Sequence, residues 1–173
     1  MARVDLTLEK LGRAQERFLR LADAVGSGRW QEAPRTGCWS AAQVVAHLCQ
    51  VERGVVGSAD RIIQKTPLHF PVWKRLHFPL FLVEQRVIRR KSPFPEDPGL
   101  LAEKETMLAE LRGVRERTRA FLEETRDREL GVYAWRHPFL GRLSFYEWFE
   151  FVAMHQNRHS KQMNEISQIF QKA

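Results

Sequence analysis

The sequence predicts an all-α protein, a four-helix bundle with one long crossover connection. Four stretches carry apolar residues three and four positions apart, the spacing of a helix face that packs against other helices. Two of these stretches open with the same helix-start signature, and no stretch has a convincing strand pattern. With 173 residues the chain is long enough to bury a substantial core, so we assign residues 1–173 to a single domain.

The first helix is predicted to run from about Asp5 to Val25. Its apolar residues form a seam of the kind found in bundles: Val4, Leu8, Leu11, Ala14, Phe18, Leu21 and Val25. Gly26 and Gly28 follow directly and end the helix, because glycine adopts the conformations that terminate helices.

The second helix begins with a strong start signal. Ser40 and Gln43 have the spacing of a capping box, and Trp39 and Val44 occupy the two positions of a hydrophobic staple. Its apolar face consists of Val44, Leu48, Val51, Val55 and Ile62. We expect the helix to end before Pro67, since the residue preceding a proline disfavours the helical conformation.

Residues 67–98 form the long connection. They contain six of the eight prolines, with apolar residues between them: Phe70, Val72, Trp73, Phe78, Leu80, Phe81 and Leu82. The segment is too apolar for a disordered linker, so we expect it to pack over one end of the bundle, with a short helix at about Leu80 to Arg89. Contiguous apolar patches usually bind a partner, and two-fold pairing is the commonest outcome, so the sequence also predicts a homodimer.

The third and fourth helices complete the bundle. The third is predicted to start near Pro98 with Asp97 as its cap and to end at about Thr125. Its apolar residues are Leu101, Leu108, Leu111, Val114, Phe121 and Leu122. After a turn-rich segment at 126–142, the fourth helix repeats the start signal of the second, with a Ser144 and Glu147 capping box and a Leu143 and Trp148 staple.

Two histidines interrupt the apolar stripe of the fourth helix. At about 100° per residue, His155 and His159 lie about 20° to either side of Trp148, at the centre of the buried face. Buried imidazoles are costly unless each ring nitrogen has a partner, and a transition metal is such a partner. The end of the chain therefore predicts a metal site.

A third ligand is expected from a facing helix, and His47 is the best candidate. It lies about 40° from Val51, at the edge of the apolar arc of the second helix. The alternative is a helix-edge histidine that is hydrogen-bonded to a neighbouring helix. The remaining three histidines lie in connections, and we expect them to be surface or hydrogen-bonded residues: His69, His77 and His137.

The order and spacing of several short motifs resemble the DinB/YfiT-like superfamily of metal-binding four-helix bundles, over about residues 5–170. The matching pieces are Trp39-Ser40, Ala46-His47-Leu48, His137-Pro138-Phe139-Leu140-Gly141-Arg142-Leu143-Ser144, and His155-Gln156-Asn157-Arg158-His159 with Gln162. The resemblance implies a metal site on His47, His155 and His159, the same three residues that the helical geometry selects. It also implies one of two activities, thiol transfer to an electrophile (or a thiol-dependent isomerisation) or metal-dependent hydrolysis.

Three imidazoles leave at least one coordination position open, as in catalytic sites, and they suit zinc or nickel, with manganese or iron also possible. Such a metal lowers the pKa of a bound water or thiol. The carboxylate base of zinc proteases is absent, because Gln156 follows the first histidine and both Glu150 and Glu165 point away from the core face. This favours a metal-activated thiol or water, with Gln162 orienting a substrate or ligand or simply lying at the bundle edge.

We therefore expect a small-molecule substrate such as a low-molecular-weight thiol, and we rank thiol S-transferase above metal-dependent hydrolase. A carboxylate from the connection, such as Glu84, would reverse that order if it reached the site. The remaining alternative is a non-catalytic site in which the metal staples the bundle or senses metal availability.

Charge and cysteine content exclude other classes. The net charge is +7, but the basic residues of the third helix alternate with acidic ones, and no nucleic-acid motif accompanies the basic residues at 86–91, so we expect no specific nucleic-acid binding. The sequence has no run of about 18 apolar residues, so we expect no membrane-spanning helix. Residues 1–10 lack the features of a signal peptide. Cys38 and Cys49 fit no disulfide or zinc framework, which favours ordinary thiols in the cytoplasm.

Overall fold

The computed structural model describes residues 3–66, 80–84 and 102–172. Its helices are α1 (Arg3–Asp23), α2 (Ala41–Ile63), α3 (Phe81–Glu84), α4 (Lys104–Glu124) and α5 (Phe145–Gln171), and its strands are β1 (Ala134–His137) and β2 (Gly141–Ser144). Two 3-10 turns lie at Ser27–Arg29 and Leu130–Val132. The four long helices form the predicted bundle, so the predicted fold class is confirmed.

The two pairs of neighbouring helices run parallel. Between α1 and α5, Lys10 pairs with Glu150 near one end, and Ser167 Oγ donates to the Ala24 carbonyl 3.3 Å away near the other. Early residues of α1 thus lie beside early residues of α5.

The helices α2 and α4 also run parallel to each other. Arg53 of α2 pairs with Glu110 of α4 at 2.5 Å, and Arg128, which follows α4, donates to the Ile63 carbonyl at the end of α2 at 2.7 Å. Parallel neighbours cannot be joined by a short turn, because α2, at 23 residues, is about 34 Å long. The length of the connection between α2 and α4 therefore follows from the topology.

Both predicted capping boxes are confirmed. The Gln43 N–H donates to Ser40 Oγ at 3.2 Å, and the Ser40 N–H donates to Gln43 Oε1 at 2.8 Å. At the start of α5 the Ser144 N–H donates to Glu147 Oε2 at 2.7 Å. These caps fix where α2 and α5 begin, and hence the register of their histidines.

The core consists of two apolar clusters with a buried polar layer between them. One cluster lies at the end that carries the hairpin and includes Leu11, Phe145 and Phe149; the other includes Phe18 and Met163. Between them, Arg115 donates to Glu52 Oε1 and Oε2 at 2.7 and 2.9 Å.

Two further residues and a backbone carbonyl complete this polar layer. Thr118 Oγ1 donates to Glu52 Oε1 at 2.6 Å, Arg115 also donates to Gln156 Oε1 at 2.8 Å, and a third Arg115 nitrogen bonds the Leu11 carbonyl. The layer therefore ties all four long helices together at one level.

The prediction that the chain has no strands is wrong. Within the segment expected to be only turns, β1 and β2 pair antiparallel, with Ala134 opposite Ser144 and His137 opposite Gly141. Strands of four residues are too short for alternation to be recognised, and the turn depends on Gly141, which has a φ of +88°.

The start of the third long helix was also wrongly predicted. The helix α4 begins at Lys104, and its cap Glu103 has an extended backbone that interrupts any helix running from Pro98. Asp97 and Pro98 themselves lie outside the described residues. Of the short helix predicted at about Leu80 to Arg89, the structure describes a helix at Phe81–Glu84, and residues 85–89 lie outside the described residues. Most of the apolar segment on which the homodimer prediction rests is likewise outside them.

Candidate metal centre

Three imidazoles from two helices converge at one point. His47 extends from α2, and His155 and His159 extend from successive turns of α5. His155 Nε2 lies 3.3 Å from His47 Nε2 and 3.2 Å from His159 Nε2, and the three ligand atoms all lie within 4.8 Å of one another. The residues selected from the sequence are therefore brought together; whether they bind a metal stays a prediction.

The spacing of these nitrogens fits a transition metal. Imidazole nitrogens bind zinc at about 2.0–2.1 Å, so two of them at a tetrahedral angle lie about 3.3–3.4 Å apart. The separations of His155 Nε2 from the other two Nε2 atoms, 3.2 and 3.3 Å, are close to this value. The donor set and the geometry thus suit one divalent ion without movement of either helix.

Burial keeps the imidazoles of His47 and His155 neutral, as metal ligands must be. It lowers the pKa of His47 to about 4. Burial, reinforced by repulsion from His159 and His47, holds the pKa of His155 well below its usual range. At neutral pH each of these two rings therefore keeps one unprotonated nitrogen, which can bind a metal.

Gln162 fixes the orientation of one imidazole. His159 Nδ1 lies 2.9 Å from Gln162 Oε1, one turn further along α5. An amide oxygen only accepts, so this hydrogen bond places the proton of His159 on Nδ1 and leaves Nε2 unprotonated, the form of the nitrogen that binds a metal. Of the two roles considered for Gln162, orienting a ligand is the one that this contact supports.

Aromatic rings flank the cluster on two sides. The half-buried Trp39 lies parallel to His159, with ring centroids 6.2 Å apart, and contacts the edge of His47 at 5.0 Å. Phe151 stacks on His155 at 5.3 Å. The sequence identified Trp39 as a staple residue and as part of a family motif but not as a neighbour of the site, because periodicity gives no sign that a residue preceding a helix contacts the site.

Among the described residues, no carboxylate joins the histidine cluster. Glu84 Oε1 accepts a hydrogen bond from Asn157 Nδ2 at 2.8 Å, and Asn157 projects about 160° from His159 around α5. Glu150 pairs with Lys10, and Gln156 is turned into the core towards Arg115. Glu84, the carboxylate that would have ranked hydrolysis above thiol transfer, therefore lies away from the histidine cluster.

The remaining histidine and cysteine side chains of the described segments lie outside the cluster. His137 is buried rather than at the surface, and its Nδ1 accepts hydrogen bonds from the Phe139 and Leu140 N–H groups at 3.1 and 3.2 Å. Burial raises the pKa of Cys49 to about 12, which keeps it a thiol, and Cys38 is exposed. His69 and His77 lie outside the described residues.

The fold and the cluster together define a class of protein: a four-helix bundle with three inward histidines on two facing helices. A sequence model of the DinB superfamily matches residues 10–163, so the chain belongs to this superfamily. The predicted family resemblance is confirmed.

Two similar proteins come from Bacillus subtilis. YuaE of strain 168, an uncharacterized protein, is 24% identical over 143 residues, which cover 82% of this chain and 85% of YuaE. The structure of YfiT, described as a probable metal-dependent hydrolase with an unusual four-helix bundle topology, superposes with a TM-score of 0.66. That likeness covers 97% of this chain and 87% of YfiT at 15% sequence identity, and it shows the shared fold.

None of the helices described is long and apolar enough to cross a membrane.

Proposed function

We propose that the protein is a metal-dependent enzyme in which His47, His155 and His159 hold one divalent ion, with zinc or nickel the best match to three imidazoles. The observation that carries this proposal is the convergence of three imidazoles, with His155 Nε2 at 3.3 Å from His47 Nε2 and 3.2 Å from His159 Nε2, and all three ligand atoms within 4.8 Å of one another. A metal held by three protein ligands keeps an open position, where it acts as a Lewis acid that lowers the pKa of an incoming thiol or water.

The residues around the cluster supply the remaining requirements. Gln162 holds the His159 ring so that Nε2 faces the shared centre. Trp39 and Phe151 limit the access of water to two sides of the cluster, and this strengthens electrostatic interactions inside it. The structural alternative would need a fourth protein ligand, and the described His, Cys, Asp and Glu residues supply three.

Thiol transfer is the reaction that we favour. Hydrolysis of an unactivated bond profits from a carboxylate that takes the proton of water, and the described carboxylates lie outside the cluster. A thiol titrates at about 8.5 and needs little help to ionise at neutral pH. In this reaction the sulfur forms a bond to the electrophilic carbon, the leaving group departs with its electron pair, and the thiol proton passes to solvent.

Metal-dependent hydrolysis is the second candidate, because YfiT, which shares the fold, is described as a probable metal-dependent hydrolase. Thiol transfer and hydrolysis would use the same three histidines, and they differ in whether a thiol or a water is the nucleophile.

The experiment compares nucleophiles on one preparation. Metal-loaded protein is incubated with glutathione, bacillithiol, mycothiol or cysteine and a chlorobimane, and separately with an activated ester in the absence of thiol. We expect thiol-dependent turnover that is lost in His47→Ala and kept in His137→Asn, a matched histidine replacement outside the cluster. Thiol-independent ester hydrolysis that requires His47 would favour the second candidate, and equal turnover in His47→Ala and the wild type would contradict both.

A further inference from the structure

An open cleft lies between α1 and α5, away from the histidines. Its volume is about 490 Å³, within the range of about 300–1,000 Å³ that is typical of small-molecule sites. Its lining residues are Arg17, Arg20, Leu21, Ser160, Lys161, Asn164 and Glu165. On α5 these residues project about 100–240° from His159, so the cavity and the histidine cluster occupy different faces of the helix.

The lining carries a net positive charge. Three of its seven residues are cationic, Arg17, Arg20 and Lys161, and one, Glu165, is acidic. Arg17 and Arg20 are three residues apart and therefore neighbours on the same side of α1. Like charges at this spacing repel each other, which makes the cavity favourable for an anion.

These two arginines differ from the cations that precede them on α1, of which Arg3 lies over the Tyr146 ring and the other two are in ion pairs. Lys10 pairs with Glu150, and Arg13 pairs with Glu9 at 2.5 Å. Within the segments that the structure describes, no ion pair or hydrogen bond involves the side chain of Arg17 or Arg20. Their donors remain available, and a planar guanidinium group matches the oxygens of a phosphate or carboxylate.

The other lining residues place a third positive charge and determine which anions fit the cleft. Lys161 is half-buried, and its Nζ is held by the Glu84 carbonyl at 3.0 Å, so its charge has a fixed location. Asn164 offers a neutral amide, and Leu21 offers an apolar surface. This combination fits a small organic molecule that carries a phosphate group or several carboxylates.

We infer that the cleft between α1 and α5 binds a small multiply charged anion through Arg17, Arg20 and Lys161. The inference is independent of the proposed reaction, because none of these residues belongs to the histidine cluster. It differs from nucleic-acid binding, since the three cations surround one cavity and do not extend along a surface.

The test uses inorganic pyrophosphate and citrate as probes and measures binding by calorimetry at physiological ionic strength. We expect both to bind the wild type and to bind the Arg17→Gln/Arg20→Gln double variant at least tenfold more weakly. The matched control is Arg13→Gln, a charge change on the same helix outside the cleft, which should retain wild-type affinity. Because all three arginines are exposed, melting temperatures should stay unchanged.

The inference would be overturned by no binding to the wild type, by equal weakening in Arg13→Gln, or by tighter binding of a single-stranded oligonucleotide than of pyrophosphate. A further arm separates the two sites. Binding should persist in His159→Ala; if it is lost there and kept in the double arginine variant, the anion binds at the histidine cluster, and the inference fails while the proposed function stands.

Discussion

At the scale of single residues, the two nitrogens of His159 have different tasks. Nδ1 is engaged by Gln162 Oε1 at 2.9 Å, and Nε2 lies 3.2 Å from His155 Nε2. An imidazole that is held on one side presents its other nitrogen in a fixed direction, which lowers the cost of ordering it when a ligand binds. Gln162 is therefore a positioning residue.

This role predicts a specific effect of substitution. Gln162→Leu removes the acceptor and should weaken metal affinity by about 10–100-fold, whereas Gln162→Glu keeps an acceptor and should retain most of the affinity. Competition with a chromogenic chelator measures both. The control is Gln168→Leu at an exposed position of α5, and a loss of equal size there would contradict the role.

The sequence predicted the histidines but not their surroundings. Helical periodicity gives the direction of His155 and His159 around α5, and this was enough to select them. Periodicity carries no information about distances, so the Gln162 contact and the stacking of Trp39 on His159 required the structure.

At the scale of elements, the hairpin of β1 and β2 depends on a histidine that acts as a hydrogen-bond acceptor. His137 Nδ1 accepts the N–H groups of Phe139 and Leu140, and its ring contacts Phe151 at 4.6 Å. Burial lowers the pKa of His137 to about 4, and protonation of Nδ1 would remove both acceptor interactions.

This pKa predicts a pH dependence of stability. An imidazole in the unfolded chain titrates at about 6.5, so between about 6.5 and 4 the unfolded state binds the extra proton. The contribution of His137 is then complete above about 6.5 and decreases as the pH falls towards 4. His47 and His155 add to this slope, because their pKa values are also lowered.

The variant His137→Asn keeps an acceptor oxygen but does not titrate. Urea unfolding with a chelator present should therefore give a free energy of unfolding that falls less steeply between pH 6.5 and 4 than in the wild type. Parallel pH profiles for the two proteins would contradict the assignment.

The elements that the sequence predicted well are those with strong local signals. The capping boxes at Ser40 and Ser144 specify the starts of α2 and α5 independently of tertiary contacts. The start at Lys104 has no side-chain cap hydrogen bond, and the strands of the hairpin have four residues each, so these boundaries depend on packing.

At the scale of the whole molecule, the buried layer of Glu52, Arg115, Thr118 and Gln156 joins the two apolar clusters. Glu52 and Arg115 have side chains that are 3% and 2% exposed, so each charge depends on the other for compensation. The alternation of basic and acidic residues along α4 predicts exposed side chains, and Arg115 departs from this expectation because it is buried with Glu52.

Glu52→Gln should therefore lower the free energy of unfolding by about 3 kcal/mol or more, because the Arg115 charge would stay buried without its counter-ion. Glu110→Gln, which removes the exposed partner of Arg53, should cost less than about 1 kcal/mol. Urea denaturation of both variants makes the comparison. Similar losses in the two would show that the buried pair is no more important than the surface pair.

The central claim is that His47, His155 and His159 bind one divalent metal per chain, and elemental analysis of tag-free protein tests it most directly. We expect a near-stoichiometric divalent metal in the wild type and in His137→Asn, and almost none in His159→Ala, because two imidazoles hold a metal poorly. Equal metal content in His159→Ala and the wild type would contradict the claim.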